Sequence, residues 1–214
     1  MNTYINNLNL KKIKEYLKNE KTIILSSIII VFILTVIITT TAKGYSVNIQ
    51  NSIAEEVIRF HVLANSDSQK DQELKLKVKN GVINMLANEL DNSKSKSETK
   101  ELLIKNIPNI EAKALEIIKE NGYNYPVSVS ISNSYFPTKV YGDISLPAGE
   151  YEALKIEIGD AKGQNWWCVM FPPLCFVDVT VKEVPEKDKN LFKDILTEEE
   201  YELISKEENK DKFN

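Results

Sequence analysis

The chain has 214 residues, a formal net charge of −4 and 27% charged residues, enough for one domain of ordinary size with extensions. Its lysines are dispersed rather than gathered with aromatics on one face, which argues against nucleic acid as a partner. One histidine and two cysteines are too few soft ligands for a zinc or iron–sulfur centre. The glycine-rich nucleotide loops and the GxSxG hydrolase elbow are absent too, so no cofactor, metal or small-molecule substrate is expected.

Residues 1–21 form a basic segment in which Lys11, Lys12, Lys14, Lys18 and Lys21 outnumber Glu15 and Glu20. Residues 22–42 follow without a charge or a proline. As a helix this run is long enough to cross a hydrocarbon core of roughly 30 Å. Lysines before it and only Lys43 just after it predict a cytoplasmic N-terminus and an exported remainder. The run exceeds a signal-peptide core, and Thr40-Thr41-Ala42 is a weak cleavage site, so a retained anchor is favoured. Release after processing is the alternative. Residues 43–52 read as a linker to an exported domain over 53–181.

Ile58-Arg-Phe-His-Val-Leu-Ala64 alternates like a half-buried strand and stops at Asn65-Ser-Asp-Ser68, whose short polar side chains suit a helix start. Ser68 with Asp71 approaches a capping box, and Val78, Val82, Met85 and Leu86 mark one face of a helix running to about Leu90. After the polar loop 91–97, Ser95 and Glu98 are set to cap a second helix with a seam at Leu103, Ile107, Ile110, Ala114 and Ile117. Pro108 predicts either a kink or the first turn of a further helix, and Asn121-Gly122 the end.

From Pro126 the period becomes two, with Val127, Val129 and Ile131 opposing Ser128, Ser130 and Ser132. Turn signals at Phe136-Pro137, Tyr141-Gly-Asp143 and Leu146-Pro-Ala-Gly149 separate short strands from a longer one over Tyr151–Ile158. One strand, two to three helices and an antiparallel meander define an α+β domain with the helices on one sheet face. Residues 182–214 turn acidic, with a weak apolar stripe at Phe192, Ile195, Leu196, Tyr201, Leu203 and Ile204. They read as a tail that is partly helical and partly disordered.

Both tryptophans and both cysteines fall in 163–178. Trp166–Phe171 is apolar on both faces, as in a core strand, and leads into the Phe171-Pro172-Pro173 corner. On one straight strand Cys168 and Cys175 would lie roughly 23 Å apart, beyond the reach of a disulfide. Only a chain reversal at the prolines lets them pair; two buried thiols are the alternative. A closed loop of that size adds about 2.5 kcal/mol on the chain-entropy model.

Two kinds of chemistry fit these residues. An extracytoplasmic thiol hydrolase would use Cys168 as nucleophile, His61 as base and Asn65 or Asp67 to orient it, although the spacing matches no local signature. A binding surface would use the rings of Tyr135, Phe136, Tyr141 and Tyr151, held on turns stiffened by Pro137 and Pro147.

Five blocks in order, Ile58–Asp67, Asp71–Val78, Phe136–Asp143, Leu146–Leu154 and Gly163–Phe176, resemble the stage II sporulation protein R family of endospore-forming bacteria. The resemblance implies a non-enzymatic signal, exported from the forespore into the intermembrane space. There it activates a membrane-embedded aspartic protease that processes the mother-cell sigma E precursor. On that reading the expected contact residues are Tyr135, Phe136, Tyr141, Asp143, Glu150, Tyr151, Asn165 and Trp166. The basic segment and the acidic tail lie outside the resemblance.

Overall fold

The computed structural model describes residues 2–176 and 183–205. The upper boundary expected for the domain, near 181, and the last residues of the acidic tail lie outside them. The chain divides into two compact units, Met1–Asn48 and Ile49–Asn214.

The first unit is helical. Helix α1, Asn2–Glu56, contains the apolar run, and residues 43–52, expected as a linker, belong to the same helix. From Ile23 the helix is long and apolar enough to cross a membrane, with a mean hydropathy of 2.8 and exposed side chains such as Leu25, Phe32 and Ile38. Ser26, Ser27, Thr35, Thr39, Thr40 and Thr41 donate their hydroxyls to carbonyls three or four residues back. Satisfied in this way, they can sit in hydrocarbon without unpaired donors.

The second unit carries the α+β fold. Strands β1 (Ile58–Leu63), β2 (Val127–Phe136), β5 (Gly149–Ile158) and β6 (Asn165–Phe171) form one sheet in the order β2-β5-β1-β6. Strands β3 (Lys139–Tyr141) and β4 (Ile144–Leu146) pair separately. The antiparallel pairing expected after Pro126 holds for β2 with β5 and for β3 with β4; β1, for which no partner was expected, runs antiparallel to β6 and parallel to β5. The sheet is therefore mixed. Turn residues report only which consecutive strands reverse; they are silent on a first strand that inserts between the fifth and the last.

Helices α2 (Gln69–Asn92) and α3 (Lys96–Glu120) start where expected: the hydroxyls of Ser68 and Ser95 accept the amides of Asp71 and Glu98. Pro108 lies inside a single α3, and Gly122, at φ 81°, follows the Asn121 cap. Val78, Val82, Leu86, Leu103, Ile110 and Ala114 pack on the sheet face made by Phe60, Val62, Leu154, Ile156, Cys168 and Met170.

A second cluster of buried residues covers part of the opposite face. It joins Ile53 in the last turn of α1 and Val57 just after it to Phe136, Ile144, Leu146, Tyr151, Val169, Val184, Phe192 and Ile204. The end of α1 is capped by Lys96, whose ammonium donates to the carbonyls of Ala54 and Glu55 at 3.0 and 2.7 Å. The described part of the acidic tail folds as α4 (Glu186–Ile195) and α5 (Glu198–Ile204), the latter opened by a Thr197–Glu200 capping box. Phe192, Leu196 and Ile204 are the stripe residues that reach the interior, whereas Leu203 stays exposed.

Candidate functional site

Arg59 is the second residue of β1 and is wholly buried. Its guanidinium lies 4.5 Å from the ring centre of Phe136, 4.8 Å from that of Tyr151 and 5.8 Å from that of Tyr141. Its Nε donates to the Cys168 carbonyl at 3.2 Å and its Nη2 to the Tyr141 hydroxyl at 3.1 Å. Among the described residues no carboxylate pairs with it, and burial lowers its pKa. Three ring faces and two oxygens take the place of a counter-ion. The signal was present in the sequence, as a cation alternating with core residues, but periodicity alone assigns such a residue to a wet face.

His61 lies two residues along the same face. Its ring stacks on Trp167, with centroids 5.3 Å apart and planes 6° apart, and Nδ1 is 3.3 Å from Asn165 Oδ1. Burial lowers its pKa to about 4, with the Asn165 hydrogen bond opposing that shift. Cys168 is elsewhere. The β1–β6 register pairs Phe60 with Cys168 and His61 with Trp167, so the cysteine and the histidine project from opposite faces. Cys168 is also joined to Cys175, with Cα atoms 5.5 Å apart, through the reversal at Pro172-Pro173 and the 3-10 turn Leu174–Phe176. The residues of the thiol-hydrolase reading are thus not assembled into a nucleophile and base.

The eight expected contact residues divide by burial. Phe136 and Tyr151 are interior, at 0% and 1% exposed, and serve as walls of the Arg59 pocket rather than as surface anchors. Tyr141 is half-buried in the same cluster. Asp143 is buried as well: it pairs with Lys189 of α4 at 2.7 Å and accepts the Val184 amide at 2.7 Å. These partners hold its carboxyl below the usual carboxylate range, against the opposing effect of burial. Gly142, at φ 58°, allows the β3–β4 turn to lie against the backbone of Glu183 and Val184, where a side chain would crowd it. Tyr135 and Glu150 are exposed, and Asn165 and Trp166 are half-buried.

Asn165 and Trp166 stand at a corner tied down by hydrogen bonds. Asn65 donates to Asp71 at 2.9 Å and accepts the Asp160 amide at 3.0 Å. Asp67 accepts the Gln164 amide at 2.7 Å, and Lys75 donates to the Gln164 carbonyl at 2.9 Å. Lys79 lies 4.4 Å over the Trp166 ring. Asn65 and Asp67 therefore fix two loops to each other and do not orient His61. Among the described residues no group of three or more histidine, cysteine, aspartate or glutamate side chains is arranged to hold a metal ion. What the site offers is a set of polar and aromatic groups on pinned loops around a sealed aromatic–arginine centre.

Comparison with known proteins adds the family. The family model described as Stage II sporulation protein R matches residues 54–181. The chain is similar to Stage II sporulation protein R of Bacillus subtilis (strain 168), at 38% identity over 170 residues covering 75% of each chain. No solved structure matches it.

Proposed function

Because the chain belongs to the stage II sporulation protein R family, we propose that it is an exported sporulation signal that activates a membrane-embedded aspartic protease. That protease in turn processes the mother-cell sigma E precursor. Residues 1–21 are cytoplasmic and 22–42 anchor the chain, at least until any processing. The folded domain stands in the intermembrane space beyond the forespore membrane. The observation that carries this reading is the coincidence of the family match, 54–181, with a folded unit that follows a basic segment and an uncharged, apolar helical run.

A ligand activates a protease only by binding its active arrangement more tightly than its resting one, which calls for a surface of fixed shape. Tyr135, Glu150, Asn165 and Trp166 are the contact set. Phe136, Tyr141, Asp143 and Tyr151 act from inside by holding the β3–β4 turn and the start of β5. The test is processing of the sigma E precursor in sporulating cells that carry this chain in place of their own copy, together with co-purification of the full chain with the protease's membrane portion. Tyr135→Ala with Glu150→Lys is expected to reduce both without changing the amount of folded protein. Failure of the unaltered chain to bind and to restore processing would overturn the reading.

A further inference from the structure

Strand β2 occupies one edge of the four-stranded sheet and runs for 10 residues, Val-Ser-Val-Ser-Ile-Ser-Asn-Ser-Tyr-Phe. Its inner side pairs with β5 along its whole length, and among the described residues nothing is bonded to its outer side. Proteins blunt such edges with lysines, prolines, bulges, short strands or a covering segment, because an open row of amides and carbonyls is a template for another strand. β6, at the opposite edge, has several of these devices: it is shorter, its ladder with β1 is irregular at Ile58/Arg59, and the chain turns back beside it through the Cys168–Cys175 bond. β2 has none between Pro126 and Pro137.

We infer that β2 pairs with β2 of a second copy of this chain, antiparallel about a two-fold axis at Ile131. Three observations select a copy rather than an unrelated strand. The strand carries no charge in a chain that is 27% charged, so self-pairing sets no like charges opposite one another. The nearest charges behind its serine face, Lys155 and Glu157 on β5, are bound to each other at 2.7 Å. The register itself is self-complementary: Ser130 falls opposite Ser132, Ser128 opposite Ser134, Ile131 opposite its own copy and Val127 opposite Tyr135. That last pair gives a cross-strand partner to Tyr135, which stands 62% exposed in the single chain. Both strands are already formed, so pairing orders no new backbone. The product is a continuous sheet of eight strands with α2 and α3 of both copies on one side.

This inference does not depend on the protease reading. Alongside that reading it gives each signal two contact sets, with Tyr135 at the border between the second copy and the protease. The experiment is light-scattering mass and sedimentation of the full chain in detergent micelles, with no protease present. The unaltered chain is expected to be a dimer. Ser130→Lys with Ser132→Lys places lysines opposite lysines and should give a monomer with unchanged circular dichroism. Ser130→Glu with Ser132→Glu should do the same, and mixing the two variants should restore a dimer of one copy of each. A chain that is monomeric at every concentration, or a lysine variant that remains dimeric through its membrane helix, would overturn the inference. Loss of processing in cells despite a dimer in micelles would count against the protease reading alone.

Discussion

Cys168 and His61 lie on adjacent paired strands and project from opposite faces of the sheet, because the register pairs Cys168 with Phe60 and His61 with Trp167. With Cys168 also bonded to Cys175, no thiolate stands beside an imidazole. The oxidised full chain should therefore take up no thiol-directed label, and its mass should be lower than that of the reduced chain by the hydrogens of one disulfide. A label at Cys168 before reduction contradicts this. Cys175→Ser should cost about 2.5 kcal/mol of stability.

His61 is expected to make the domain acid-sensitive. The unfolded histidine takes up a proton below pH 6.5, whereas the folded one stays neutral to about pH 4. The unfolded state thus holds the extra proton between those values, and stability falls as pH falls through that window by about 1.4 kcal/mol per unit from this group. Below pH 4 both states are protonated and the loss is complete. Urea unfolding followed by tryptophan fluorescence should show this slope, and His61→Gln should flatten it.

Arg59 tests whether its charge or its volume matters more to the domain. Arg59→Ala empties a wholly buried site and removes contacts with three rings, an expected loss of about 3–5 kcal/mol. Arg59→Met keeps most of the volume and strands no carboxylate, so its cost should be much smaller. Equal losses in the two variants, read from urea midpoints, show that the guanidinium itself is required.

The end of α1 belongs to the domain core rather than to a tether. Ile53 is 1% exposed, so Ile53→Ala should cost about 2–5 kcal/mol. Asn51→Ala, on the exposed side of the same turn, should stay within about 0.5 kcal/mol of the unaltered chain. The comparison is best made by unfolding the full chain in micelles, since removal of the helix would cut into residues 49–57.

Breaking the Asp143–Lys189 pair should loosen the β3–β4 turn from α4. Lys189→Met leaves the Asp143 carboxylate buried without its cation, an expected loss of about 3 kcal/mol. The depressed pKa of Asp143 means that its contribution is present above pH 3.8 and is lost as pH falls through the folded value. The variant should therefore unfold more readily at neutral pH, with less difference from the unaltered chain in strong acid.

Local chemistry made much of this protein legible without coordinates. An apolar, uncharged run as long as residues 22–42 predicts a helix in or against something apolar, and the caps at Ser68 and Ser95 need nothing beyond their own turn. The proline corner between Cys168 and Cys175 made a reversal available, while two buried thiols stayed open as the alternative until the structure joined them. The tertiary structure decided whatever depended on partners distant in sequence. It placed β1 in mid-sheet, turned Arg59 and His61 inward under rings from β2, β5 and β6, and drew Phe136, Tyr151 and Asp143 off the surface. It also left the serine-lined strand β2 at an open edge. An alternating strand looks the same whether its second face meets water or a second layer, and only the arrival of α4, α5 and the end of α1 on part of that face resolved the difference.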